Sequence, residues 1–520
     1  MSTEPGVSAE SLASISTPDR VESRVGTLRF DDGAPSDETA ELLYDNLDFL
    51  HGVEAFIDAF PGASTTAMHR GFLSAGVEDN TVLIFSDLMD SESLFLTANC
   101  DTLYAISFVN LSDGPMVVEV PALGAPSGIL GTVDDMWFRW VTDIGLPGPD
   151  RATGGRYLFI GPGYDGPLPD SGFHISHART TRVLLLLRAF MVDNSPEVPA
   201  RTLRDGLRIH PYTPGGVGTS VASFLAGRTP MAQTPPVPDT TFVEGSGLAF
   251  NTIPPNDFGY WDVINELIQD EPVGAGEPDL LGHLAAVGIA KGEPFAPSTR
   301  TRKVLEQAVV VGNATARTVA FAPREDEGWA YYPGSQWTNV LFSGGYTFLD
   351  PPPQITREGV VVPSETNGAR KLNARIAFFY PYTGITPAMC MRLTGIGSQY
   401  LWAMRDSNGA FLDGARNYRL TLPPNIPQSR FWSVMVYDRQ TRSMLKTGQP
   451  KPDVGSQGGT VRENPDGSTD VYFGPSAPEG HADNWLQTDP EKGYFIILRL
   501  YSPEPAFFDK TWRPTEVEPV

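Results

Sequence analysis

Only two cysteines, Cys100 and Cys390, occur in 520 residues. Two thiols cannot form a disulfide framework in a chain this long, and neither has a Cys-x-x-Cys neighbour that would read as a thiolate-rich metal site. They read as buried small hydrophobes, with one bridge between distant segments as the alternative. Lysine is scarce as well: 7 of the 38 basic residues are Lys, so arginine supplies most of the fixed positive charge. Asp and Glu number 62, giving a net charge of −24. A field of that sign repels phosphate backbones and anionic bilayers, which argues against nucleic acid and membrane surfaces as partners. No run of 18 apolar residues is present, so no membrane span is expected. The first twenty residues lack a basic n-region and an apolar h-region. The reading is therefore cytoplasmic, or periplasmic or exported if a leader preceded residue 1. Patterns of the GxSxG, HExxH and Walker A type are missing too.

Glycine and proline, by contrast, are plentiful at 52 and 47 residues, which favours many turns and short strands. Residues 1–38, rich in Ser, Thr, Pro and Asp, read as a flexible lead-in. Helical spacing over 38–60 ends at Pro61-Gly62. Period-two patterning then places strands at 81–85, 103–110, 116–120, 136–141 and 156–160, with an apolar run at 183–190 closing the unit. Helical patterning returns at 197–207, 261–269, 280–289, 301–321, 375–379 and 389–404, and strands again at 418–422, 431–437, 469–473 and 494–501. Asn464 to Ser468 reads as a hairpin turn. The organisation is a lead-in over 1–38, a β domain over 39–195, a helical insert over 196–370 and a β domain over 371–520. The class is mainly β with an α insert (α+β), each β-unit being a sandwich, a barrel or a jelly roll.

Several short patterns have bland explanations. Gly161 to Gly166 matches GxGxxG, but Pro167 and Pro169 follow where a phosphate-binding helix would have to start, so a turn is expected. Ser443 to Lys446 and Lys446 to Gly448 match two β-lactamase-like motifs that share one lysine and so cannot both operate. His174 and His177 would face opposite sides of a strand and are not expected to hold a metal.

The stretch Asn99-Cys100-Asp101-Thr102-Leu103-Tyr104 is more informative. Asp101 is a candidate general base and Tyr104 a candidate acid or oxyanion donor. The structural alternative is an Asx-turn built by Asn99 and Asp101 at the strand entry. Asp134 and Asp135 repeat the theme ahead of Trp137, with Arg139 beside the tryptophans. From 431 to 438, Trp432, Val434, Val436 and Asp438 share one face, and Phe431, Ser433, Met435 and Tyr437 the other. Large rings such as Trp137, Trp140, Trp432 and Trp485 exceed what a small two-sheet unit can enclose, so some are expected across a domain or subunit interface.

These segments resemble a bacterial family named for two domains, DUF1254 followed by DUF1214. The resemblance rests on Asn99 to Tyr104, Gly155-Arg156-Tyr157 through Gly161-Pro162, Arg188, Leu412-Asp413-Gly414 with Tyr418, Phe431 to Asp438, Asn464 to Ser468, Asn484-Trp485-Leu486 and Arg499 to Pro503, in the family's order. It implies two jelly-roll-like β-sandwich domains with a helical section between them and no established reaction; many members look exported. The expected function is a metal-independent hydrolase of a small or carbohydrate-like ligand, or else a non-catalytic ligand-binding or assembly protein. Asp101, Tyr104 and Asp134 are the candidate catalytic residues. Asn99, Trp137, Arg139, Arg188, Trp432, Tyr437 and Trp485 are the candidate ligand-binding residues. No metal or other cofactor is expected; the partners are a small-molecule or glycan ligand and further copies of the chain.

Overall fold

A computed structural model describes residues 7–124, 128–355 and 361–520. Pleating sorts the side chains of Arg182–Ala189: Val183, Leu185 and Leu187 enter one core, while Leu184 enters another. That strand is central in a six-stranded sheet ordered 242–244, 82–84, 103–110, 182–189, 129–135 and 140–145. A four-stranded sheet, ordered 174–177, 155–160, 116–120 and 208–211, packs on it through Val118, Tyr157 and Phe159. In the second half, a five-stranded sheet is ordered 337–338, 398–403, 494–503, 428–438 and 453–455. Its four-stranded partner, ordered 485–487, 469–474, 418–422 and 518–519, closes over Leu420, Val434, Val471 and Leu498. The chain is a mixed α/β protein built on two sandwiches.

The other faces of the two large sheets are buried as well. Tyr104, Ile106 and Phe108 from the first, with Tyr400, Trp402 and Phe495 from the second, share one core with the helices Asp37–Ser74, Gly259–Asp270, Thr299–Phe321 and Leu372–Phe379. Burial on both faces explains why every residue of Tyr494–Pro503 is buried and why its alternation is blurred. Phe190, Leu130, Phe431 and Tyr501 bring the two sheets into direct contact.

The fold departs from the sequence reading in several places. Residues 9–35, expected as a flexible lead-in, carry the helix Ala9–Ile15 and a small three-stranded sheet; residues 1–6 lie outside the described part. The helix does not stop at Pro61-Gly62 but runs to Ser74. Its second half is buried almost all round, and that packing outweighs the roughly 3 kcal/mol proline penalty. Gly62 is required there, because a Cβ would stand 2.5 Å from Leu267 and 2.8 Å from Trp137. The strand expected at 136–141 is a turn between Ile129–Asp135 and Trp140–Gly145. Asp135 builds it, accepting from the backbone N–H of Trp137 (2.8 Å) and of Arg139 (3.1 Å), with Phe138 at φ 51°. The helix expected at 389–404 is instead the short turn of helix Pro387–Cys390 and the strand Ser398–Ala403. Gly395 and Gly397, at φ 74° and 76°, separate the two. The 464–468 segment is a tight turn closed by the Asn464 N–H on the Ser468 carbonyl (2.7 Å), without a strand on its leading side. Both sandwiches reach beyond the expected boundaries, since Arg208–Pro211 pairs with the first and Trp337–Thr338 with the second. Cys100 and Cys390 are buried free thiols. Among the described residues no helix is long and apolar enough to cross a membrane.

Candidate functional site

The segment 97–102 connects the sandwiches. Asn99 is fully buried, and its side-chain oxygen accepts from the N–H of Asp101 (3.3 Å), the N–H of Thr102 (3.2 Å) and the Thr102 hydroxyl (2.8 Å). This is the Asx-turn anticipated at the strand entry. The amide group of the same side chain donates to the Tyr104 hydroxyl at 2.8 Å and so orients that ring. Asp101 shares in the turn through its backbone N–H only, and its side chain points elsewhere. Its carboxylate accepts from the Ser433 hydroxyl (2.5 Å) and the Tyr501 hydroxyl (2.7 Å), both from the second sandwich. The backbone is held in the same way: Tyr437 donates to the Ala98 carbonyl (2.7 Å), and Arg499 Nη2 donates to the Thr97 carbonyl (2.7 Å) and to the Tyr437 oxygen (2.5 Å). The Cys100 thiol donates to Asp453 at 3.3 Å. Burial, with the nearby Asp101 charge, pushes the Asp453 carboxyl up to about 7.

Beside this clasp lies a cavity of about 50 Å³, room for a few non-hydrogen atoms. Its walls include Tyr104 and Arg188 from the first sandwich, Ser398 from the second, and Tyr382 and Thr386 from the segment joining them. Strand register places the rest. Arg188 pairs with Tyr104 on one side and Leu130 on the other. On the facing sheet Arg499 lies between Tyr400 and Ser433, and Tyr501 between Ser398 and Phe431.

Two guanidiniums are buried in this region, Arg188 on the cavity wall at 8% exposure and Arg499, outside the cavity lining, at 1%. Among the described residues neither forms an ion pair with a carboxylate, and the groups bearing most on both are the phenols of Tyr382, Tyr400 and Tyr501. Nε of Arg499 is buried without a hydrogen-bond partner. Burial opposes the charge of each arginine, but the phenolic oxygens outweigh it and both stay firmly protonated. The effect on the tyrosines is reciprocal. Burial alone would raise the Tyr400 hydroxyl, yet Arg188 and Arg499 pull it below the ordinary tyrosine value. Its oxygen also lies 2.5 Å from the Ser398 hydroxyl. Burial keeps Tyr104, Tyr382 and Tyr501 above that value.

Two buried acids stand behind the wall formed by Thr132, Gly384 and Thr386. Asp134 accepts from the Ile385 N–H at 2.8 Å, and a Cβ on Gly384 would lie 3.2 Å from its carboxyl oxygen. Asp143 accepts from the Thr386 hydroxyl (2.6 Å) and the Trp140 indole N–H (3.1 Å). Burial raises both carboxyls, Asp143 to about 6 and Asp134 well above the usual range. The arrangement pairs a cationic, phenol-rich end with a wall backed by two carboxyls that burial raises, Asp134 further than Asp143.

Of the ten sequence candidates, Tyr104 and Arg188 border this cavity. Asn99, Tyr437 and Asp101 belong to the clasp beside it, and Asp134 stands behind its wall. The other four lie elsewhere. Trp432 is inside the second sandwich, and half-buried Trp485 donates its indole N–H to the Gly474 carbonyl on an edge strand. Trp137 and Arg139 line a separate outward-facing pocket. Arg499, Tyr501, Ser398, Tyr400 and Tyr382 were not anticipated as site residues. Reading 398–403 as a strand would have placed Ser398 and Tyr400 on one face. His174 and His177 lie on a four-residue strand three positions apart, and among the described residues no group of three or more His, Cys, Asp or Glu is placed to hold a metal.

Two family models match the chain, each described as a protein of unknown function: DUF1254 over residues 80–211 and DUF1214 over residues 397–505. No curated protein matches the sequence. Among solved structures, the crystal structure of the VPA0106 protein from Vibrio parahaemolyticus is similar in fold, with 18% identity and a TM-score of 0.51 over 91% of this chain and 100% of that one. An uncharacterised protein from Burkholderia cenocepacia aligns at 12% identity and a TM-score of 0.37, over 93% and 96% of the two chains.

Proposed function

The chain belongs to the family of proteins that carry a DUF1254 and a DUF1214 domain, and from that premise we propose that it binds a small carboxylate-bearing molecule in the chamber between its two sandwiches. One observation carries the reading: Arg188, on the chamber wall, and Arg499, influenced by the same phenols, are both buried without a carboxylate partner among the described residues. A buried cation without a counter-ion is costly, and an anionic ligand supplies the missing charge. The apolar part of the chamber, with Leu130, Ile106 and Met389, suits a short aliphatic body of a few carbon atoms. A glycan, even a single sugar acid, is too large for a space of about 50 Å³. We read the two sandwiches as jelly-roll-like, with the site at their junction.

A second reading, metal-independent hydrolysis of such a ligand, is favoured by Tyr400, whose hydroxyl is lowered by the same arginines, and by Asp143, whose carboxyl burial raises to about 6. In that reading Tyr104 and Ser398 position the ligand, a water attacks its ester or amide carbonyl, and the proton lost by that water passes through the Ser398 hydroxyl to Tyr400 and on to the departing alcohol or amine. The test of binding is thermal unfolding in the presence of small monocarboxylic acids and their isosteric amides. An acid at 100 times its Kd stabilises the protein by about 2.7 kcal/mol, whereas its amide gives no shift. Equal shifts from acids and amides, or none from any acid, would overturn the reading.

A further inference from the structure

We infer that a second pocket, open to the outside, binds a planar aromatic anion. It has a volume of about 290 Å³ and lies between the 136–139 turn and the helix Leu372–Phe379. A naphthalene-sized ring fits there and cannot fit the chamber of about 50 Å³. In a chain of net charge −24, four arginines converge on this pocket, Arg139, Arg179, Arg370 and Arg375, against one lining carboxylate, Glu277.

Part of that charge is already matched. Arg375 binds Asp58 at 3.1 Å, and Nε of Arg139 binds Asp135 at 2.7 Å. The remainder is poorly matched: Glu277 is shared loosely by Arg139 (3.7 Å) and Arg179 (3.5 Å). Among the described residues Arg370 makes no ion pair, and its charge, added to burial, works against the charge of Arg375. Two donors on the pocket wall, Nη2 of Arg139 and the Trp137 indole N–H, are buried without a partner. Groups left in that state favour an acceptor-rich ligand. Guanidinium forks match the planar oxygens of a carboxylate. The ring of such a ligand is provided for by Trp140, which meets Tyr346 edge-on with centroids 5.4 Å apart, and by Phe379, stacked on Phe138 at 5.8 Å.

Titration calorimetry of the full chain at low salt, with 1-naphthoate as probe and 1-naphthamide as its neutral isostere, tests the inference. Naphthoate is expected to saturate one site, and naphthamide to bind at least tenfold more weakly. The double variant Arg179→Gln/Arg370→Gln changes two exposed side chains, so folding is retained, and it should weaken naphthoate at least tenfold. Arg188→Met should leave naphthoate binding unchanged. Absence of saturable binding, or equal binding by the double variant, would overturn the inference. Binding lost in Arg188→Met but kept in the double variant would also overturn it, while leaving the reading of the chamber intact.

Discussion

Removing the Asp101 carboxylate separates the two roles that this residue can have. In Asp101→Ala the hydroxyls of Ser433 and Tyr501 lose the acceptor they meet at 2.5 and 2.7 Å, deep between the sandwiches. Hydrogen bonds to a charged group contribute about 1.5–3 kcal/mol each, so the expected loss is about 3–6 kcal/mol. Ser433→Ala and Tyr501→Phe remove one bond each and should cost about 1.5–3 kcal/mol. Asp101→Asn should cost less, about 1–2 kcal/mol, because the amide oxygen still accepts from one hydroxyl and the Ser433 hydroxyl can turn to accept from the amide group. Burial of the charge acts in the opposite direction, by several kcal/mol for an unpaired ion. Urea unfolding followed by near-ultraviolet circular dichroism decides which effect wins. A double-mutant cycle between Asp101→Ala and Ser433→Ala should show a coupling of about 1–2 kcal/mol. If Asp101→Ala is neutral or stabilising, the cost of desolvation exceeds the hydrogen bonds and Asp101 does not tie the sandwiches together. If it leaves stability intact but abolishes turnover, its role is catalytic.

Three further outcomes follow from the same geometry. Burial raises Asp143 to about 6, so its folded form binds a proton more tightly than its unfolded form. The resulting stability, about 3 kcal/mol, is fully present below about pH 4 and lost as pH rises through about 6, and Asp143→Asn should flatten the unfolding free energy across that window relative to the unchanged protein. Gly62→Ala places a methyl 2.5 Å from Leu267 and 2.8 Å from Trp137, and thermal unfolding should show a loss of about 1–3 kcal/mol; an unchanged midpoint would mean that the helix shifts freely. Because one core takes side chains from both large sheets and the helices, calorimetry on the whole chain should show one transition, and fragments cut near residue 196 or 370 should not fold as separate monomers.

Much of this fold is written in local pattern. Leu103–Asn110, Met116–Val120 and Tyr418–Leu422 fall where period two places them, although only Tyr418–Leu422 alternates cleanly in burial. The Asn99 turn is equally local, since its partners lie within five positions. What pattern could not supply is whatever depends on partners far apart in the chain. Asp101 and Ser433 are 332 positions apart, and the two become neighbours only because the outer faces of both large sheets are buried. Arg499 sits in a strand whose every residue is buried, so its charge is not marked by the alternation that exposes solvent-facing residues. Pro61-Gly62 misled for the same reason, since a close approach between Gly62 and Trp137 overrides local propensity, whereas the 136–141 stretch is broken by a local turn that the Asp135 carboxylate closes.

At the centre of this reading, Arg188 on the wall of a small, partly apolar chamber awaits an anion, with Arg499 influenced by the same phenols. The direct test is calorimetric titration of the most stabilising small monocarboxylic acid into the unchanged protein and into Arg188→Met, with circular dichroism confirming that the variant is folded. One site per chain is expected, with at least a hundredfold weaker binding in the variant, since one member of a buried charge pair accounts for about 3 kcal/mol or more. Equal affinity in the two proteins would contradict it.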